Sequence, residues 1–276
     1  MKDIYIVCVL YNKLIQDIAS YEAFVEATKI HDHVHFMVVD NSNEEYVTQN
    51  EIYMQMHDNI IYVGCGGNVG LSKAYNRGLR AIQSEMSDAF MMIADDDTIF
   101  SLQYLDNLIK ACAKNESDIY AGIIRDSNGK YLSPNTAFDW LGRDKYAVKE
   151  PGSYENLYCF NSGLCLSTVL LNTLGGFDEQ LFVDMIDYWL MDTLIAKKRN
   201  KICIVEGEII QDFSATTFQN LESVVRRYQI FKKDFEIYCD LCDKSSIFRW
   251  YYGRRRKLNV LLHILMKGRF DLVKEL

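Results

Sequence analysis

Four apolar runs frame the first hundred residues: Ile4–Leu10, then residues 34–39, 60–63 and 90–94. Each is short, nearly uninterrupted and closed by polar residues, which is the pattern of strands buried on both faces of a parallel sheet. Between the first two runs, Ile15, Ile18, Phe24, Val25 and Ile30 recur at helical spacing, and further helices are expected over 44–56 and from about Leu71. Strands alternating with helices predict β-α-β units. Their right-handed crossovers bring the carboxyl ends of the strands to one side of the sheet.

At that side the four runs end in Tyr11-Asn12-Lys13, in Asp40-Asn41-Ser42, in a glycine-rich stretch from Gly64 to Gly78, and in Asp95-Asp96-Asp97-Thr98. Ligands of open α/β sheets bind outside the carboxyl ends of strands, so these segments are expected to face one cleft. Glycines let backbone amides approach a ligand, and a helix starting near Leu71 would point its N-terminus there. The stretch has neither the dinucleotide spacing nor the Gly-Lys-Ser/Thr ending of a phosphate loop. Three adjacent carboxylates repel one another and are costly to desolvate. They call for a hard divalent cation, Mg²⁺ or Mn²⁺, unless they form only an acidic turn capping the helix near Ser101.

The second half is less regular. A turn at Asp126-Ser127-Asn128-Gly129 separates expected strands at 119–124 and 130–132. Residues 134–151 read as a mobile loop over the cleft, and Asn161-Ser162-Gly163 interrupts an apolar run at 157–166. Asp184 and Asp187 sit near the start of a further helix that carries Trp189.

With 276 residues, 49 % of them apolar, and two prolines, the chain has the composition of one continuous soluble body. Its net charge of −8 hides an asymmetry. Residues 1–225 carry 17 Lys/Arg against 32 Asp/Glu, and residues 226–276 carry 13 against 6, giving nets of −15 and +7. The basic tail, with Arg254-Arg255-Arg256-Lys257 followed by an apolar periodic segment, is either an ordinary docked helix or a peripheral membrane contact. The acidic remainder argues against nucleic acid. Eight scattered cysteines read as reduced thiols, and without a visible signal peptide or spanning segment a cytoplasmic location is expected, with the inner face of the cell membrane as an option. Cys239-x-x-Cys242 lacks a second pair at metal-site spacing, and His31, His33 and His35 could share one strand face.

Taken in order, Tyr11-Asn12, Val38-Val39-Asp40-Asn41-Ser42, Gly66-Gly67-Asn68-Val69-Gly70-Leu71-Ser72-Lys73-Ala74-Tyr75-Asn76-Arg77-Gly78, Asp95-Asp96-Asp97-Thr98, Asn161-Ser162-Gly163 and Gly175-Gly176-Phe177-Asp178 through Asp187 resemble the motifs of family 2 glycosyltransferases. The rhamnosyltransferase-like branch is nearest, and the likeness covers residues 3–217. It implies the GT-A fold, an α/β architecture with a mostly parallel central sheet flanked by helices. Residues 1–217 would form the catalytic domain, with a nucleotide-binding half (1–100) and an acceptor half (101–217), and residues 218–276 a helical basic extension.

The resemblance also implies roles. Asp97 would ligate the metal and Asp95 would touch the metal through water or the ribose, while Tyr11, Asp40, Asn68, Lys73 and Asp96 would line the nucleotide. Asp40 would read the imide edge of uracil or thymine, unless it only forms a turn with Asn41 and Ser42. Asp187 is the expected general base, with Asp184 second. Asn161, Ser162, Gly163 and Trp189 would meet the acceptor, although Trp189 also suits a core position. Where the family often has an acid and an Arg, this chain has Trp189 and Thr193. Where the family often has a metal-ligating His, it reads Gln211-Asp212, so Asp212 could be the third metal ligand. The implied activity is metal-dependent, inverting transfer of a sugar, rhamnose by preference, from a dTDP- or UDP-sugar to a glycan or lipid-linked acceptor in polysaccharide biosynthesis. The chain could pair as a homodimer. A non-catalytic nucleotide-sugar-binding subunit and a nucleotidyltransferase are the alternatives.

Overall fold

The structure is a computed structural model that describes residues 1–57, 59–136, 146–212 and 221–276. Its first half follows the apolar runs: β1 (Ile4–Leu10), α1 (Tyr21–Ile30), β2 (Val34–Asp40), α2 (Glu44–Met54), β3 (Ile60–Gly64), α3 (Leu71–Glu85) and β4 (Phe90–Asp95). These four strands lie parallel in the order β3-β2-β1-β4. Register aligns their ends. Leu10 pairs with Asp40, Asp40 with Gly64, and Val9 with Asp95, so the polar termini meet on one edge. Core clusters cover both faces of the sheet, one holding Val7, Val39 and Ile93 and the other Ile6, Val38 and Met92.

The second half comprises β5 (Ile99–Phe100), α4 (Leu102–Lys114), β6 (Ile119–Arg125), β7 (Tyr131–Ser133), β8 (Gly152–Glu155), β9 (Cys165–Ser167), α5 (Thr168–Leu174), α6 (Ile186–Ala196) and β10 (Lys201–Ile210). The sheet continues β4-β9-β6-β10-β5, with β7 on β6 and β8 on β10. Only β6 and β10 pair in parallel here, so the sheet is parallel in its N-terminal half and mixed beyond. α4 begins where expected, and its cap is Ser101, whose hydroxyl accepts the Tyr104 N–H, rather than the acidic turn. The expected strand at 157–166 shrinks to β9. Leu157, Cys159 and Leu164 are buried, but their segment bonds to Asn135 and Ile93 rather than forming a continuous ladder. Apolar continuity there reports burial, not extension. Half of the expected cleft loop, residues 137–145, lies outside the described residues.

Two long helices, α7 (Leu221–Leu241) and α8 (Ser246–Met266), end the chain. Val225, Phe231, Phe235 and Tyr238 of α7 share one core cluster with Trp189, Leu190 and Leu194 of α6. The tail is helical as expected, and α7 packs it against the body. All eight cysteines are free thiols. Of the three histidines only His35 lies in β2, where it contacts Asp3; His31, which contacts Asp106, and His33 precede the strand with their rings 5.8 Å apart. Among the described residues, no helix is long and apolar enough to cross a membrane.

Candidate active site

The loops at the aligned strand ends are tied to one another by asparagine and serine side chains. Asn12, held at φ +53°, donates its N–H to Ser42 Oγ at 2.8 Å, and its Oδ1 accepts the Asn43 N–H at 2.9 Å. Asn41 Oδ1 accepts the Val69 N–H at 2.7 Å and its Nδ2 donates to Asn68 Oδ1 at 3.1 Å. These bonds make a built rim. Gly70 sits at φ +90°, and a Cβ there would lie 2.6 Å from the Phe182 ring. Asn76 of α3 grips the chain near Gly176 from the other side, bonding both the N–H and the carbonyl of Phe177 at 2.8 Å. Tyr11, Asn68 and Lys73 stand exposed on this rim.

Asp40 corrects an expectation. It is completely buried, and its carboxylate accepts the Ser42 N–H at 3.0 Å, Asn50 Nδ2 at 2.7 Å and the Tyr62 hydroxyl at 2.9 Å. Those donors spend the carboxylate on organising the loops beneath the rim, so it does not offer an open acceptor to a base.

The three acids at the end of β4 have different surroundings. Asp96 faces the Lys13 ammonium at 3.1 Å. Asp95 is pushed up to about 7, first by burial and then by the neighbouring Asp97, with Gln211 opposing the shift through an Nε2 to Oδ2 bond of 2.8 Å. Burial, followed by the charge of Asp96, also raises Asp97. Carboxylates desolvated beside one another are the surroundings a cation relieves. Oε1 of Gln211 is buried with no hydrogen-bond partner, next to them. Among the described residues no three His, Cys, Asp or Glu side chains gather as a metal cage. A hard cation fits here only with amide oxygen, phosphate or water completing the shell, and the Gln211 oxygen suits that need.

Asp212 does not. Its carboxylate accepts the Ser127 N–H at 2.9 Å, holding the turn after β6. Gln211 continues the ladder of β10 by donating its N–H to the Arg125 carbonyl at 2.9 Å, and the alternation of extended chain then sends the two side chains to opposite sides. The residue facing the acids is Gln211.

Asp187 lies in the first turn of α6, where its Oδ1 accepts the Tyr188 N–H at 2.9 Å. Its charge adds, after burial and nearer acids, to the upward shifts of Asp95 and of Tyr75. Tyr75 is fully buried with an unpartnered hydroxyl; its motif was visible in the sequence, but no role for it was. Asp184 precedes the helix and is bound at both oxygens by the Arg227 guanidinium, one bond measuring 2.8 Å. It is committed to that pair. The loop before α6 is held further by Asp234 of α7, a completely buried carboxylate that accepts the N–H groups of Phe182, Val183 and Asp184 at 3.1, 2.8 and 2.8 Å.

The expected acceptor residues divide in the same way. Ser162 Oγ accepts the Asp95 N–H at 3.1 Å and donates to Thr98 Oγ1 at 2.9 Å, bracing the end of β4. Gly163 packs under Ile209 and Phe100, and its carbonyl accepts the Tyr104 hydroxyl at 2.6 Å. Trp189 is buried in the core and offers no face to a sugar. Asn161 keeps a buried, unpartnered Oδ1.

Residues 6–163 match the model of glycosyl transferase family 2. The chain belongs to that family. No curated protein matches it in sequence. Among solved structures, this family 2 chain is similar to GalNAc-T7 with UDP, GalNAc and Mn²⁺, at 13 % identity and a TM-score of 0.56 over 76 % of this chain and 44 % of that one. It is also similar to the mannosyltransferase PcManGT from Pyrobaculum calidifontis in complex with GDP-Man and Mn²⁺, at 16 % identity and TM-score 0.54 over 86 % of this chain and 65 % of the other. S. aureus TarS 1–349 matches at 16 % identity and TM-score 0.57, over 98 % of this chain and 89 % of TarS. These likenesses show the GT-A fold, and the family 2 chain spans less than two thirds of the first two relatives.

Proposed function

We propose that the chain is a metal-dependent, inverting glycosyltransferase that moves a sugar from a UDP- or dTDP-sugar to a glycan or lipid-linked acceptor at the inner face of the cell membrane. One observation carries the reading: Asp95, buried at the end of β4 beside Asp97, is met there by the Gln211 side chain at 2.8 Å, so carboxylates and an amide gather where the strands end. Rhamnose as the transferred sugar rests on the sequence resemblance. The relatives solved with UDP or GDP-Man, two of them with Mn²⁺, support a nucleotide-sugar donor and a divalent ion.

In this proposal Asp97, Asp95 and the Gln211 amide oxygen hold Mg²⁺ or Mn²⁺. Such a cation, when bound, neutralises the charge that develops on the diphosphate leaving group. Tyr11, Asn68 and Lys73 meet the nucleotide at the rim. Lys13 keeps Asp96 neutralised and out of the way. Asp187 takes the proton from the acceptor hydroxyl as its oxygen bonds to the anomeric carbon, so the nucleophile gains strength as the donor bond breaks. Attack opposite the diphosphate inverts the anomeric centre.

A calorimetric screen of UDP-, dTDP-, GDP- and CDP-sugars with and without Mn²⁺ tests the donor class. Selective, Mn²⁺-dependent binding of a uridine or thymidine nucleotide sugar is expected. Binding of none of the four, with or without the ion, overturns the proposal.

A further inference from the structure

α8 (Ser246–Met266) is apolar on two opposite sides. Val260 and Ile264 face the body and are buried, whereas Ile247, Trp250, Tyr251, Leu258, Leu262 and Leu265 are exposed, Ile247 at 79 % and Trp250 at 61 %. Their spacing of three, four and seven places them in one stripe along the outer side of the helix. A buried face explains why the helix docks; it does not explain a second apolar face in water. The outer side also carries Arg254 within the stripe and Arg255 and Lys257 beside it, and α8 contains no acidic residue. Met266, the last residue of α8, and Phe270 beyond it are exposed as well.

We infer that this stripe is a docking surface for a lipid bilayer rich in anionic head groups, with α8 lying in the plane of the interface. Charge decides the occupant. A second copy of the chain would bring two basic stripes together, with Arg254 of each approaching the other, which like-charge repulsion opposes. An anionic surface meets the same residues with attraction, and the apolar side chains enter the boundary between head groups and acyl chains. The −15 net charge of residues 1–225 is repelled by that surface, so the tail approaches first. Trp250 and Tyr251 add rings with a polar tip, which suit the level of the head groups. Without a spanning helix among the described residues, attachment of this kind is interfacial and reversible.

The inference rests on the proposed lipid-linked acceptor only for its purpose, and its test involves no turnover, so it fails or stands apart from the catalytic reading. The full-length chain is floated with vesicles of phosphatidylcholine alone and of phosphatidylcholine mixed equally with phosphatidylglycerol. Binding to the mixed vesicles that falls with added salt is expected, and the triple variants Ile247→Glu/Leu258→Glu/Leu262→Glu and Arg254→Gln/Arg255→Gln/Lys257→Gln should each bind about tenfold more weakly or worse. All six positions lie on the helix surface. Brominated lipid gives a further check: it should quench the tryptophan fluorescence of the unaltered chain and quench it less in Trp250→Phe, which separates Trp250 from Trp140 and from Trp189, buried in the core. No binding to the mixed vesicles, equal binding to both kinds, or undiminished binding of the apolar variant overturns the inference. A dimer in solution that the apolar variant dissolves would assign the stripe to a second copy instead.

Discussion

Nε2 of Gln211 donates to Oδ2 of Asp95 at 2.8 Å, joining the end of β10 to the end of β4 across the acid cluster. The amide oxygen of the same side chain is buried and without a partner. Gln211→Ala removes both the bond and the oxygen. The expected result is a loss of about 10- to 100-fold in Mn²⁺-dependent nucleotide affinity by calorimetry, the range typical of outer ligands and their supports. Binding measured in chelator should change little. An unaltered Mn²⁺ dependence would leave Gln211 with no role beyond holding Asp95.

Asp187→Asn keeps the shape of the side chain but cannot accept the acceptor's proton. Turnover should fall by about 10²- to 10⁴-fold while nucleotide affinity is kept. Sugar transfer and calorimetry on the same preparation separate the two, and full turnover would move the base elsewhere. Asp184→Asn, three residues earlier, should act on stability instead, because it breaks the ion pair with a partly buried Arg227. The expected cost is about 1–2 kcal/mol in urea unfolding.

Asp234→Ala should be more damaging than its distance from the acids suggests. It strips three adjacent backbone N–H groups of their acceptor inside the protein. Chemical denaturation is expected to show a loss of about 3 kcal/mol or more, since each stranded buried donor costs on the order of 1–3 kcal/mol. A loss within about 0.5 kcal/mol, the range of ordinary surface changes, would mean that water replaces the carboxylate.

Gly70→Ala meets two obstacles at once: a backbone at φ +90° and the Phe182 ring 2.6 Å from the new Cβ. A lower melting temperature, equivalent to about 1–3 kcal/mol, is expected. Gly66→Ala, where nothing lies within 4 Å, should lose only the backbone component. Equal effects of the two changes would show that crowding by Phe182 contributes nothing.

The sequence alone determined the parallel half of the sheet, because a strand buried on both faces must be apolar without interruption and then end abruptly in polar residues. Ile4–Leu10 and the runs at 34–39 and 90–94 carry that mark and are buried, while 60–63 forms β3, an edge strand only partly buried; pairing in register then brings Asp40, Gly64 and Asp95 to one edge. Motif order was also legible, since it needs only the chain. Which way each polar side chain faces was not. Gln211 and Asp212 are adjacent acceptors, and only the pairing of β10 with β6 turns one toward the acids and the other toward Ser127. Asp40 and Asp184 look like open carboxylates until Tyr62, Asn50 and Arg227 arrive from distant segments to occupy them. Asp234 had no local signal at all, because the amides that it holds lie about fifty residues away. A carboxylate's role depends on which donors reach it, and in this chain the deciding donors come from distant elements that only the fold brings close.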